Sequence, residues 1–322
     1  MKKILVSILA TVLFPASALA ADFAAWSPQA PEHPSTLALQ SFLEKVKDID
    51  GERFAPKFEP VSAIADQNKL FKALRTGELS ASILTGGAIA KLAPSAQVLQ
   101  LPFIFRDSKQ MFAVLDGDIG KSVEKELREK GLVVLGWYDG GTRSFYMRNK
   151  PAHSTADFQG LKVRVPNRPD LKNLVTVLGG SPVVMGYDKV NAALESQEVD
   201  SAENDLLAYE TDQHYKNAKY FVMSNHFVQF EALVVSEAVW KQLSDADKKA
   251  FRTAARESVM ADRDMWTKRM GAARTKLEKE GVKFIDPRNS TAYISRVSPI
   301  YKPFMDNPAT SATLLRLMTE RG

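Results

Sequence analysis

The chain has 322 residues, 45% of them hydrophobic and 25% charged, with no cysteine and a formal net charge of +5. That is the composition of a globular protein long enough for two domains, each with its own core. It excludes disulfides, thiol catalysis and thiolate metal sites, and Lys and Arg are spread evenly rather than gathered with aromatics into a nucleic-acid surface.

Residues 1–20 read as an export leader. Lys2 and Lys3 open it, Ile4 to Phe14 form an apolar core, and Ala18-Leu19-Ala20 supplies the small residues a signal peptidase reads. Cleavage is therefore expected after Ala20, with the mature chain in the periplasm. The apolar run is too short to act as an anchor, and no later segment approaches roughly 18 uninterrupted apolar residues.

From Ala21 onward strands and helices alternate, which predicts an α/β architecture with mostly parallel sheets. Phe23 to Trp26 reads as a strand, and Pro28 to Pro34 as a loop. Ser35 or Thr36 then caps a helix with Leu39, Phe42, Leu43 and Val46 on one face. Phe54 to Val61 is a strand, Gln67 to Thr76 a helix stopped by Gly77, and Leu79 to Leu84 a strand. Gly86-Gly87 follows, where backbone can approach a ligand closely. Lys109 to Lys130 is helical with a break at Asp116-Gly117, and Leu132 to Tyr138 is a run of the kind buried inside a sheet.

Thr142 to Met147, Leu161 to Val165, Pro182 to Met185, Val199 to Ala202 and Phe230 to Val235 add strands. Helices lie near Asp170 to Leu178 and Val190 to Ser196. Ser244 and Asp247 form a capping-box pattern that opens the longest helix, which runs on to Lys279. Counted from Ser244 it spans about 54 Å at 1.5 Å per residue, enough to brace two lobes. No flexible linker appears, so the domains are joined by several short crossings.

Enzyme signatures are mostly absent. Asp118-Ile119-Gly120-Lys121-Ser122 resembles the end of a phosphate-binding loop, but Leu115 stands where its first glycine belongs. No dinucleotide fingerprint or nucleophile elbow occurs. His33, His153, His214 and His226 have no metal-pair spacing, and no metal or cofactor is expected; His33, after the first strand, is the most plausible ligand among them. Glu203, Asp205, Glu210 and Asp212 read as a structural glutamate plus a solvated helix face. Arg164, in Gly160-Leu161-Lys162-Val163-Arg164-Val165-Pro166, and Arg143, in Gly140-Gly141-Thr142-Arg143-Ser144-Phe145-Tyr146, lie at strand ends, where α/β folds present ligand-binding groups. A guanidinium offers a fork matching a carboxylate, so each is either a ligand group or half of a surface ion pair.

At these residues the chain resembles the substrate-binding subunits of tripartite ATP-independent periplasmic (TRAP) transporters, the DctP family. The similarity covers nearly the whole mature chain. It is carried by Leu101-Pro102-Phe103-Ile104-Phe105-Arg106, Leu115 to Gly120, Gly141 to Tyr146, Gly160 to Pro166, and Ala193-Leu194-Glu195 leading into Val199 to Asn204. The resemblance implies two α/β lobes, residues 21–140 with 229–268 and residues 141–228 with 269–322, and a long helix across both.

It also implies site roles. Arg164 matches the arginine that pairs with the substrate carboxylate, Arg143 a second cleft arginine, and Asn204 a polar ligand contact. Gln67 stands where a ligand-facing Glu or Gln begins a helix, and Glu32 and His33 occupy a contributing first loop. Tyr187, Asn167 and Gln229 follow by position. Ser201, Asn191 and Phe230 depart from the glycine, aromatic and proline common at their places. Arg143 to Tyr146, Glu203 to Asp205 and Tyr209-Glu210 are most similar to members that bind glucuronate or galacturonate. A monomer that delivers an organic acid to small and large membrane subunits is the implied role, with a C4-dicarboxylate carrier, a sensory binding protein or a periplasmic enzyme as alternatives.

Overall fold

The computed structural model describes residues 21–51, 53–59, 66–287 and 290–319. The expected leader and its cleavage point, and the end of the strand expected at residues 60–61, lie outside the described residues.

The first elements form an α/β unit: β1 (Ala21–Trp26), α1 (Pro34–Ile49), β2 (Phe54–Glu59), α2 (Gln67–Thr76) and β3 (Ala81–Thr85). His33 caps α1 by accepting from Ser35 N at 3.3 Å, one turn-edge earlier than the Ser or Thr expected for that job, which are buried inside the first turn. Asp66 caps α2, and Gly77 ends it in the left-handed conformation at φ 81°, as a helix-stopping glycine should.

Next come α3 (Gly86–Leu92), α4 (Ser108–Leu115) and α5 (Asp118–Glu129). Gly86 is not among the residues lining the cleft described below. It opens α3, and a Cβ there would lie 2.4 Å from Gln100 Nε2 and 3.1 Å from Phe230 Cζ, so its smallness serves packing.

The chain then runs through β4 (Leu132–Met147), β5 (Lys162–Val165), α6 (Pro169–Val177), β6 (Ser181–Val184), α7 (Val190–Glu195), β7 (Ser201–Asp205), α8 (Leu206–Thr211) and β8 (Tyr220–Ser236). It closes with α9 (Glu237–Trp240), α10 (Asp245–Lys279), β9 (Lys283–Ile285), α11 (Ser290–Arg296), α12 (Ser298–Met305) and α13 (Pro308–Thr319).

All strands belong to one nine-stranded sheet, ordered β2-β1-β3-β8-β4-β7-β5-β6, with β9 beside β8. Five of its eight strand pairings are parallel, in line with the expectation, but neighbours along β3-β8-β4-β7 run antiparallel, which the sequence did not indicate. The cause is two long strands, β4 of 16 residues and β8 of 17, running against each other down the centre. Leu132–Asp139 of β4 pairs with Phe230–Ser236 of β8 beside β3, and Thr142–Met147 pairs with Tyr220–Val228 beside β7 and β9.

The register slips between Asp139 and Thr142, at Gly140-Gly141. Gly141 has φ 82°, and a Cβ on it would lie 2.8 Å from the Trp266 ring and 3.3 Å from Asp205 Cβ, so only glycine fits without displacement.

Helix α10 spans about 52 Å for its 35 residues. Its first half buries Phe251, Ala254 and Ala255 in the core that α1 shares with β1 and β3. Its second half buries Trp266, Ala273 and Leu277 in a different core, with Tyr146, Leu194 and Tyr209. Phe251 meets the rings of Phe54 at 5.2 Å, Phe23 at 5.6 Å and Phe42 at 5.9 Å. Truncating such a ring typically costs about 3–5 kcal/mol.

Candidate functional site

A cleft of about 460 Å³ opens where β4, β7 and β8 slip past one another, beneath α10 and the loop joining β1 to α1. That volume lies within the roughly 300–1,000 Å³ of small-molecule pockets. Glu32, His33, Arg143, Tyr187, Asn204 and Gln229 line it. Arg164, Gln67 and Asn167 are not among the lining residues.

Arg143 and Phe145 share a face of β4, and Phe145 stands opposite Glu203 on β7, so Arg143 and Glu203 meet on the diagonal of an antiparallel pair. Arg143 Nε donates to Glu203 Oε2 at 2.6 Å and NH2 to Oε1 at 2.9 Å, while NH1 reaches Gln229 Oε1 at 3.5 Å. Glu203 is wholly buried. Burial pushes its carboxyl up, but the Arg143 charge and the His226 hydrogen bond outweigh it and hold the carboxyl down at about 2. Burial also keeps His226 below its usual value despite Glu203. Arg143 is thus half of an internal pair that shows one edge to the cleft.

Arg164 is placed differently. It is 2% exposed at the end of β5, and its Nε and NH2 both donate to the Met185 carbonyl, at 3.2 and 2.9 Å. It forms no ion pair among the described residues. Its guanidinium lies 5.7 Å from the centroid of the Tyr187 ring, which stands at the cleft wall with its hydroxyl on the Asp212 carboxylate. Burial, with Arg143 adding to it, lowers the Arg164 proton affinity, yet a guanidinium stays charged. A carbonyl supplies dipole but no counter-charge, so among the described residues this cation has no ion-pair partner and feels the already paired Glu203 only at longer range.

Asn204 spends its Oδ1 on the Asp205 amide at 2.9 Å, leaving its NH₂ group for the cleft. His33 is held neutral, down at about 4, by burial and then by Arg269. Gln67, at the exposed start of α2, accepts from Lys91 Nζ at 2.5 Å, and Asn167 is exposed on the loop after β5.

The cleft also contains residues that sequence reasoning missed. Gln29 enters from the first loop and Arg269 from α10, where NH1 donates to the Glu32 carbonyl at 2.8 Å. Asp205 and Asp212 line it too, rather than belonging to a solvated helix face: Asp205 caps α8 by accepting from Ala208 N at 2.9 Å, and burial raises its carboxyl. The cap was legible, as an Asp just before Leu206-Leu207. Arg269 was legible only by phasing α10, where it lies one turn beyond the buried Trp266.

Two α/β halves threaded by shared strands, with charged and hydroxyl-binding groups converging on the crossing, define a two-lobed periplasmic binding protein. Residues 26–307 match the model of the bacterial extracellular solute-binding proteins, family 7 (DctP), and the chain belongs to that family. It is a TRAP-type solute-binding protein, and family members are periplasmic.

A solute-binding protein of Chromohalobacter salexigens is 32% identical over 94% of this chain and 90% of its own length. A TRAP periplasmic solute-binding protein from Roseobacter denitrificans, solved with β-D-glucuronate, is 32% identical, with a TM-score of 0.81 over 92% of this chain and 99% of that one. Its counterpart from Sulfitobacter sp. NAS-14.1, solved with β-D-galacturonate, is 28% identical, with a TM-score of 0.81 over 93% and 100%.

Proposed function

We propose that this protein captures a hexuronate, galacturonate or glucuronate, by its carboxylate, and passes it unchanged to the small and large membrane subunits of a TRAP transporter. The observation that carries this reading is Arg164, a buried cation whose protein partner is a carbonyl rather than a carboxylate. An incoming acid supplies the missing charge, and expulsion of water strengthens the pair. Asn204, Asp205, Asp212 and Gln229 suit the hydroxyl groups of a sugar ring, and the relatives named above were solved with uronates.

On this reading the chain is exported as a monomer after cleavage behind Ala20. Its lobes divide at 140/141 and 228/229, beside the register slip, with residues 269–322 in the second lobe. Tyr187 swings aside or packs on the ligand as the lobes close, which admits the carboxylate to Arg164.

Binding rather than turnover is supported by the state of an array among the described residues that resembles a hydrolytic triad. Ser224 Oγ lies 2.9 Å from His226 Nδ1, and His226 Nε2 3.4 Å from Glu203 Oε2. However, Ser224 accepts from Phe145 N, His226 is fully buried, Glu203 is spent on Arg143, and none of the three lines the cleft.

A second reading, a diacid ligand, is favoured by Arg269, whose carbonyl bond to Glu32 is its only polar contact among the described residues. Thermal shift against both uronates, succinate and galactarate separates the two. A ligand at a hundred times its Kd stabilises by about 2.7 kcal/mol, so uronates should raise Tm visibly and succinate should not. A response to diacids alone overturns the uronate assignment.

A further inference from the structure

Behind the cleft floor, three carboxyl groups from three elements meet at the strand crossing. Asp139 is the last β4 residue before the slip, Glu231 lies on β8, and Asp262 on α10. They are 9%, 2% and 0% exposed. Asp139 N donates to Asp262 Oδ2 at 2.7 Å, and Gly141 N to Asp139 Oδ1 at 2.8 Å, so the cluster ties the long helix to the slipped strand. Gln29, which lines the cleft, donates through Nε2 to Glu231 Oε1 at 2.5 Å. Glu231 Oε2 and Asp262 Oδ1 are buried without any hydrogen-bond partner.

None of the three forms an ion pair among the described residues; Arg263, whose charge reaches Asp139 and Asp262 and partly offsets their burial, donates to the Trp137 carbonyl and faces Asp116 at 3.6 Å. The other titratable neighbours are Tyr138, whose hydroxyl is bonded to Ser258, and Asp205, which faces Arg143. Three buried carboxylates with no ion-pair partner do not all ionise; the physical remedy is a proton on one or more of them.

We propose that Asp139, Glu231 and Asp262 form a proton-binding site at the hinge whose occupancy rises when ligand closes the cleft. The link is Gln29: closure over the cleft removes water from its amide and from the carboxylate behind it, and a drier carboxylate holds a proton more tightly. Burial already raises Glu231 to about 7 against the hydrogen bonds from Ser35 and Gln29, with the Asp139 charge adding to it, and raises Asp262 to about 8, with the Asp139 and Glu231 charges adding to it. His33 and His214, both down at about 4, are neutral throughout that window, as is the buried His226.

The sign follows directly. A carboxyl raised by folding binds more protons in the native state, so its contribution is complete below the ordinary carboxyl pKa near 4 and is lost progressively as pH rises from there through about 7–8. A further rise on closure makes binding tighter at low pH.

Two measurements test this, and only the second rests on the uronate reading. In the apo protein, Tm should fall between about pH 5 and pH 8.5 more steeply for wild type than for Glu231→Gln or Asp262→Asn. Matching slopes in both variants overturn the proton site whether or not a uronate binds. Calorimetry with D-galacturonate near pH 7.5, in phosphate and in Tris, should show uptake of roughly a third to one proton, abolished in Glu231→Gln, and affinity about three- to tenfold tighter at pH 6 than at pH 8.5. Binding with no buffer dependence in wild type overturns the coupling. Absence of galacturonate binding in every buffer, with the apo slopes differing as expected, refutes the uronate reading instead.

Discussion

Two guanidiniums, one lining the cleft and one behind the Tyr187 ring at its wall, have opposite surroundings. On the β4–β7 side, Arg143 is neutralised by a buried glutamate through two hydrogen bonds and is part of what holds the sheet together. On the β5–β6 side, Arg164 is as deeply placed but leans on a carbonyl and remains a net charge. Burial and residue type are alike, yet the partner decides whether an arginine maintains the fold or awaits a guest.

The comparison is broken most severely at Glu203. Glu203→Gln leaves Arg143 without its counter-charge, and losing one member of a buried pair costs about 3–5 kcal/mol, visible as a fall in Tm. Its pH signature is equally distinct. Because the native carboxyl is depressed to about 2, its contribution is complete above the ordinary glutamate pKa near 4.3 and vanishes only as pH falls through about 2. Acid unfolding followed by circular dichroism should show Glu203→Gln insensitive over that interval.

Arg164→Ala should do the reverse. Affinity for uronate falls by about a hundredfold or more, since removing one partner of a buried charged pair costs about 2–5 kcal/mol, while apo Tm holds or rises. Arg164→Lys restores the charge but not the fork, and should bind nearly as poorly by calorimetry. A tight-binding Arg164→Ala protein would falsify the proposed role.

Asn204→Ala sharpens the contrast from the neutral side. Loss of one polar contact should weaken binding by about 1–3 kcal/mol, with stability nearly unchanged. Gln67→Ala, which removes an exposed partner of Lys91, should move neither affinity nor Tm by more than about 0.5 kcal/mol.

Local signals were the legible ones. The capping box at Ser244, the end of α10 at Lys279, both limits of α2 and the break at Asp116-Gly117 are written in short-range chemistry and appear where it puts them. The long central strands were not legible. Gly140-Gly141 reads as a turn, so β4 looked like two strands, and the polar Ser224-Asn225-His226 hid the first half of β8. Strand direction in the sheet centre is set by pairings across more than a hundred residues, as between Leu132 and Ser236, and no local pattern encodes it.

The site followed the same division. Arg143, Asn204 and the first-loop residues were visible through motif and position, whereas Gln29, Asp212 and Arg269 enter the cleft only because distant elements fold against it. Only the family resemblance separated Arg164 from Arg143; no local pattern in the sequence did.

The continuous β4 and β8 strands have a mechanical consequence. Since the two halves share backbone rather than a flexible tether, bringing them together must twist hydrogen-bonded ribbon, and α10 must flex along with it. Such a joint acts as a torsion bar, confining any relative movement of the halves to twisting of the shared ribbon.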